Sequence, residues 1–100
     1  MHLLIVSDSH GRELNEVFDR EYPRWVVKII VVGAGTDQVR ETYMRRQQEA
    51  ISFRPDNIIL HVGHNDVVYH SYHNRSPHHI KEYFPDMLSF LRLLQERHPG

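Results

Sequence analysis

Three short apolar runs, rich in β-branched residues, constrain the fold of this chain more than any other feature. They cover residues 3–6, 26–32 and 57–62, and each ends at polar or glycine-containing turn residues. Apolar runs of this length bounded by turns are typical of strands buried on both faces. The spacers between them are long enough for helices. The sequence therefore predicts βαβ units with right-handed crossovers, and hence an α/β fold with a parallel sheet.

The spacers carry the apolar spacing of helices. Residues 11–20 place Leu14, Val17 and Phe18 on one face, and Tyr22-Pro23 ends this helix. A second helix follows the glycine turn, with Thr36 or Asp37 as its N-cap. Its expected inner stripe is Val39, Tyr43, Met44, Ala50 and Ile51.

A last helix is predicted to begin at Ser76-Pro77 and to continue to Arg97. Pro85 lies inside this pattern, so we expect a kink or a break there. The stripe with helical spacing consists of Ile80, Phe84, Met87, Leu88, Leu91 and Leu94.

Composition limits the classes of function. One hundred residues favour one domain, and residues 1–100 are interpreted as such. Lys+Arg 12 against Asp+Glu 13 gives no net field that would attract nucleic acid, so no nucleic-acid partner is expected. The absence of cysteine excludes thiolate metal sites and disulfides. No apolar run approaches the ~20 residues of a membrane span and no secretory signal is visible, so the cytoplasm is the default expectation for localisation.

All three predicted strands lead into polar turns, at residues 7–11, 33–37 and 63–66. The carboxyl ends of parallel strands share one edge of the sheet, and open α/β sheets bind ligands there. At this edge Ser9 can act as a nucleophile, and Asp8 and His10 can act as metal ligands. Taken alone, Ser9 fits the simpler role of a helix N-cap, because serine is a preferred capping residue.

The first two turns resemble signature blocks of the SGNH (GDSL-type) hydrolases. Asp8-Ser9 after an apolar strand is similar to the family's first block, although Ser7 stands where that block usually has glycine. Gly35 is a better match than Gly33 to the glycine of the second block. The family consists of esterases and lipases with a flavodoxin-like, three-layer α/β fold. The resemblance implies that fold here, with the first strand between the second and the third.

The third turn carries the most specific part of the resemblance. Gly63, Asn65 and Asp66 complete the family's Gly-x-Asn-Asp block. The fourth block, Asp-x-x-His, supplies the general base, and it occurs nowhere in this sequence. The chain is therefore interpreted as the amino-terminal part of such a domain, ending after the third strand and its helix. We expect little activity from these residues alone, and self-association through the exposed sheet edge.

The resemblance implies hydrolysis of a small ester or acyl group by a serine nucleophile, without a metal or a cofactor. Ser9 would attack, and the Gly35 backbone and the Asn65 side chain would donate hydrogen bonds to the oxyanion. Three further residues would support the turns, and two histidines would line the pocket. The supporting residues are Asp8, Gly63 and Asp66, and the pocket residues are His10 and His64.

Two alternatives remain open at this stage. Residues 7–11 also resemble the first motif of calcineurin-like metallophosphoesterases, in which Asp8 and His10 would bind a metal that activates water. The second motif of that family is missing here, and residues 63–66 match the third only in scrambled order. The other alternative is a non-catalytic interaction module, since the base block is absent. The histidine-rich residues 67–79 carry no ligand spacing that predicts a metal site, and His61, inside the third strand, is interpreted as a partly buried structural histidine.

Overall fold

A computed structural model describes residues 1–33, 35–63 and 83–99, with the side chains of all of these except residues 83 and 84. The described elements alternate in the order that the apolar runs predicted, with one additional helix. They are β1 (His2–Ser7), α1 (Gly11–Glu21), β2 (Val26–Val31), α2 (Thr36–Arg45), α3 (Gln47–Phe53), β3 (Asn57–His61) and α4 (Tyr83–Arg97).

The three strands form one parallel sheet in the order β2-β1-β3. The predicted central position of the first strand is confirmed. Ser7 at the end of β1 pairs in register with both Val31 and His61, the last residues of the flanking strands. Residues 3–7 of β1 are buried, as expected for a strand with a neighbour on each side and helices over the sheet.

The helices lie on both sides of the sheet. Leu4 and Val6 of β1 join a core cluster built with residues of α2, α3 and α4. Leu3 and Ile5 point to the opposite face, because side chains alternate along a strand, and α1 packs on β1 and β2. Right-handed crossovers explain why the helices lie on both faces. The connection from β1 to β2 crosses the sheet in one direction, and the connection from β2 to β3 runs back past β1 in the other direction, so the two connections lie on opposite faces.

The second predicted helix is two helices. α2 ends at Arg45 and α3 begins at Gln47, with Arg46 between them at φ −111° and ψ 15°. The Arg46 N–H is shared by the carbonyls of Thr42 and Tyr43, which closes the first helix. The predicted N-cap is also wrong, because α2 begins at Thr36 and Gly35 is its N-cap.

The turn between the helices changes which residues of the expected stripe are buried. Val39, Tyr43 and Ala50 lie in the core, whereas the Met44 side chain is 37% exposed. The hydrophobic periodicity alone did not show where the helix axis changes direction. Residues from both sides of the break still share one core cluster, with Val39 and Tyr43 from α2 and Ala50 from α3, and Ile51 is half-buried.

The helix continues without a break from Pro85 to Arg97, and the residues before Tyr83, where a break expected from Pro85 would also fall, lie outside the described residues. Pro85 is the third residue of α4, and the first turn of a helix tolerates proline because its N–H groups have no intrahelical partner there. The expected inner stripe is also partly wrong. Leu94 is buried, but Leu88 is 52% exposed and Phe90, outside the predicted stripe, is fully buried. The predicted start of this helix at residues 76–77 lies outside the described residues. No helix in the described part of the chain is long and apolar enough to cross a membrane.

Candidate active site

The carboxyl ends of the three strands form a level edge of the sheet, because Ser7 is in register with the last residues of both neighbours. The chain leaves β1 for α1 on one face, and the next described helix after β3, α4, lies on the other face. Connections that leave two adjacent strands toward opposite faces create a crevice between them. The crevice at the ends of β1 and β3 is the candidate site.

Asp8 anchors the loop that follows β1. Its backbone N–H donates to the His61 carbonyl at 3.0 Å, which extends the pairing with β3 by one residue. Its Oδ1 accepts from the His10 N–H at 3.1 Å, and its carbonyl accepts from the Gly11 N–H at 3.0 Å. Asp8 is 1% exposed, and its Oδ2 has no hydrogen-bond partner in the described part of the structure. The carboxylate therefore holds the loop in place from within the protein.

Ser9 lies at the tip of this loop, and its side chain is exposed. The N-cap of α1 is His10, and no side chain makes a capping hydrogen bond to this helix. Ser9 is therefore not the helix cap that a serine in this position favours. Its hydroxyl lies at the surface, on the edge of the sheet where a substrate can approach.

Ser7 and Gly11 are packed against each other beneath the loop. Ser7 is fully buried. A Cβ atom on Gly11 would lie 2.5 Å from Ser7 Cβ and 3.1 Å from Val31 Cγ2, so only glycine allows α1 to begin this close to the sheet. The Ser7 Oγ is 3.4 Å from His61 Nδ1. The first turn of α1, β1 and the end of β3 thus meet at one serine.

Two histidine rings lie near each other at the crevice, in an edge-to-face arrangement. The centroids of the His10 and His61 rings are 6.2 Å apart, with the planes at 71°. His61 is exposed and is the last residue of β3, which corrects its interpretation as a partly buried structural histidine. Because the parallel strands end level, the last residue of β3, His61, lies beside the last residue of β1, Ser7. The position of His61 at a strand end was visible in the sequence, but its contact with Ser7 followed only from the register.

Gly35 lies at the same edge, beyond β2. It is buried, extended at φ −71° and ψ 171°, and its carbonyl accepts from the N–H groups of Gln38 and Val39 as the N-cap of α2. The exposed Gly33 precedes it in the same turn. Gly35 thus lies in the turn after β2, and Ser9 lies in the turn after β1.

Gly63 follows β3 with φ 113°, a conformation that favours glycine. The remaining predicted site residues, His64, Asn65 and Asp66, lie outside the described residues, so their roles stay predictions. Within the described ranges, no group of three or more His, Asp or Glu side chains is arranged to hold a metal ion.

The structure defines a small α/β domain with a three-stranded parallel sheet, and the turns that follow its strands lie at the carboxyl edge of the sheet. Comparison with protein-family models, with curated proteins and with solved structures found no match to this chain. The function is therefore inferred from the residues themselves.

Proposed function

We propose that this chain carries the nucleophile side of a serine hydrolase of the SGNH type, acting on a small ester or acyl group. One observation supports this most strongly. The exposed Ser9 lies at the carboxyl end of the central strand, on a loop that the buried Asp8 holds by its backbone and its side chain. A nucleophile needs both access to substrate and a fixed position, and this loop provides the two together.

The proposed mechanism assigns a role to each turn. Ser9 Oγ attacks the carbonyl carbon, and the negative charge on the carbonyl oxygen is stabilised by backbone N–H groups of Ser9 and Gly35. The Asn65 side-chain amide is the third donor, on the strength of the Gly-x-Asn-Asp motif. The proposal includes the fold of the family, a flavodoxin-like, three-layer SGNH domain.

The experiment is covalent labelling with a fluorophosphonate probe, which reacts with activated serines, followed by intact-mass measurement and peptide mapping. We expect one adduct, on Ser9, and none in Ser9→Ala. The matched control is Ser52→Ala, because Ser52 is an exposed serine on α3, away from the crevice. It should label like the unmodified chain. Asn65→Ala should slow labelling by ~10²–10³, the usual effect of removing one oxyanion donor.

The same experiment separates the two alternatives. A chain that does not react with the probe but hydrolyses bis(p-nitrophenyl) phosphate only with Mn²⁺, and loses this activity in Asp8→Asn, is a metallophosphoesterase. A chain that shows neither reaction and gives the same probe background in Ser9→Ala is a non-catalytic module. Either result overturns the serine-hydrolase proposal.

A further inference from the structure

The reaction also needs a proton acceptor for Ser9, and none of the residues proposed so far has this role. No Asp-x-x-His occurs in the sequence. The described structure nevertheless brings an imidazole to the crevice. His61 ends β3 in register with Ser7, and Ser9 follows Ser7 by two residues on the adjacent strand end.

Ser7 holds the His61 ring but cannot be the nucleophile. Its Oγ lies 3.4 Å from His61 Nδ1, at the long end of the range for a hydrogen bond. Ser7 is fully buried and packed against Gly11, so no substrate can reach its hydroxyl. Burial also limits the movement of Ser7, which makes it a rigid anchor for the ring.

We propose, on the basis of the function proposed above, that His61 is the proton acceptor for Ser9 and that Ser7 is the residue that positions it. In the tautomer this requires, Nδ1–H donates to Ser7 Oγ, and the lone pair on Nε2 is left to accept a proton. As the bond from Ser9 Oγ to the carbonyl carbon forms, the Oγ–H bond breaks and the proton moves to Nε2. The imidazolium then returns this proton to the departing alkoxide.

His10 provides a matched control within the same crevice. Its ring lies 6.2 Å from the His61 ring, but it caps α1 and its backbone N–H is held by Asp8. The ionisable groups beside His61 are therefore the His10 imidazole and the buried Asp8 carboxylate. Substituting each histidine in turn assigns a pH dependence of the reaction to one of the two rings.

The test measures the rate of fluorophosphonate labelling of Ser9 between pH 5 and 9. In this reaction the Oγ–P bond forms, the P–F bond breaks, fluoride leaves, and the proton stays on the acceptor. For the unmodified chain we expect the rate to fall at acid pH, because a protonated imidazole cannot accept the Ser9 proton. His61→Gln should lower the rate by ~10²–10⁴ and remove this pH dependence. His10→Gln should keep it, and imidazole in the buffer should partly restore the rate in His61→Ala.

The outcomes distinguish this inference from the proposed function. If Ser9 is labelled and His61→Gln reacts at the unmodified rate with the same pH profile, the assignment of His61 is wrong and the serine-hydrolase proposal stands. If Ser9 is not labelled in the unmodified chain, both fail.

Circular dichroism melting checks that each variant is folded. His61 is exposed, so its replacement should leave the fold intact. Ser7→Ala should stay labelled on Ser9 at a lower rate. An adduct mapped to Ser7 instead of Ser9 in the unmodified chain would show that Ser7 is the nucleophile, and would overturn both assignments.

Discussion

The contact between Ser7 and Gly11 shows how one residue sets the position of a helix. Ser7 has a side chain, and Gly11 provides the space beside it. The distance of 2.5 Å from an added Cβ to Ser7 Cβ means that a second side chain would force α1 away from the sheet.

Gly11→Ala should therefore destabilise the protein by about 1–3 kcal/mol, the usual effect of overpacking. The double variant Ser7→Gly with Gly11→Ala should recover much of this loss, because removing Ser7 Cβ relieves the closest contact. Urea denaturation followed by circular dichroism measures the coupling. Gly33→Ala is the control, since nothing lies within 4 Å of a Cβ added there. Additive effects of the two changes would contradict the contact.

A second residue pair links α2 to the end of α4. Tyr43 Oη lies 2.7 Å from His98 Nε2, with Tyr43 fully buried. Burial raises the pKa of the Tyr43 phenol, with a smaller opposing effect from the charge of Arg97. Burial lowers the pKa of His98. Both shifts favour neutral groups, so the phenol donates and the neutral imidazole accepts.

The pair makes the stability pH-dependent. Because the folded-state pKa of His98 is lowered, its contribution is present above the unfolded value of about 6.5 and is lost as the pH falls through the folded pKa. We expect the free energy of unfolding to decrease as the pH drops below about 6.5, and His98→Gln to show a smaller decrease. Urea denaturation between pH 5 and 8 measures this. Parallel curves for the two proteins would show that His98 does not contribute. Tyr43 and Arg97 are the other titratable groups at this contact.

At the scale of elements, α4 shows how packing selects one face of an apolar helix. Leucines occur around much of its circumference, so the spacing predicted an inward stripe that includes Leu88 and Leu91. The observed face buries Phe90 and Leu94, and the Phe90 ring lies 5.7 Å from the ring of Tyr43. The face of α4 that is buried is thus the one that packs Phe90 against Tyr43 of α2.

Leu94→Ala should lower the free energy of unfolding by about 2–5 kcal/mol, as in other buried leucine truncations. Leu88→Ala changes the same atoms on the same helix at a side chain that is 52% exposed, and it should change stability by less than about 0.5 kcal/mol. Denaturant titration of both variants makes the comparison. Equal losses would mean that α4 packs with the face that the sequence pattern predicted.

At the scale of the whole molecule, the described sheet has an open side. β3 is an edge strand of this sheet, and the side chains of Ile58 and Leu60 are only partly buried against the core. A groove of about 750 Å³ runs between β3 and α4, and the 38% exposed Leu91 lines it. Unpaired strand edges beside apolar surface favour pairing with another chain. An antiparallel pair of β3 strands from two copies would place Ile58 of each opposite Leu60 of the other.

We therefore expect concentration-dependent self-association, measured by sedimentation velocity. Leu91→Lys should weaken it, because a charge would enter the groove. The matched control is Leu88→Lys, on the same helix but outside the groove. It should leave association unchanged. An equal effect of the two lysines, or a monomer at all concentrations, would contradict association through this edge.

The sequence by itself determined the parallel α/β sheet. Three apolar runs separated by spacers of helical length leave few other arrangements, since crossovers are short and right-handed. It also determined that Ser9 and Gly35 follow strand ends at one edge, because parallel strands all point the same way. These features depend on local pattern and chain connectivity, and the sequence contains both.

Only the tertiary structure decided which side chains meet. The break at Arg46, the rotation of α4 and the register of β1 against β3 depend on how large side chains pack, and periodicity does not encode this. The register is what brings His61 to Ser7 and His10, so a histidine interpreted as structural became a candidate proton acceptor. The physical reason is that hydrophobic spacing fixes the face of an element, whereas the contacts across elements are fixed by the volumes that must fill the space between them.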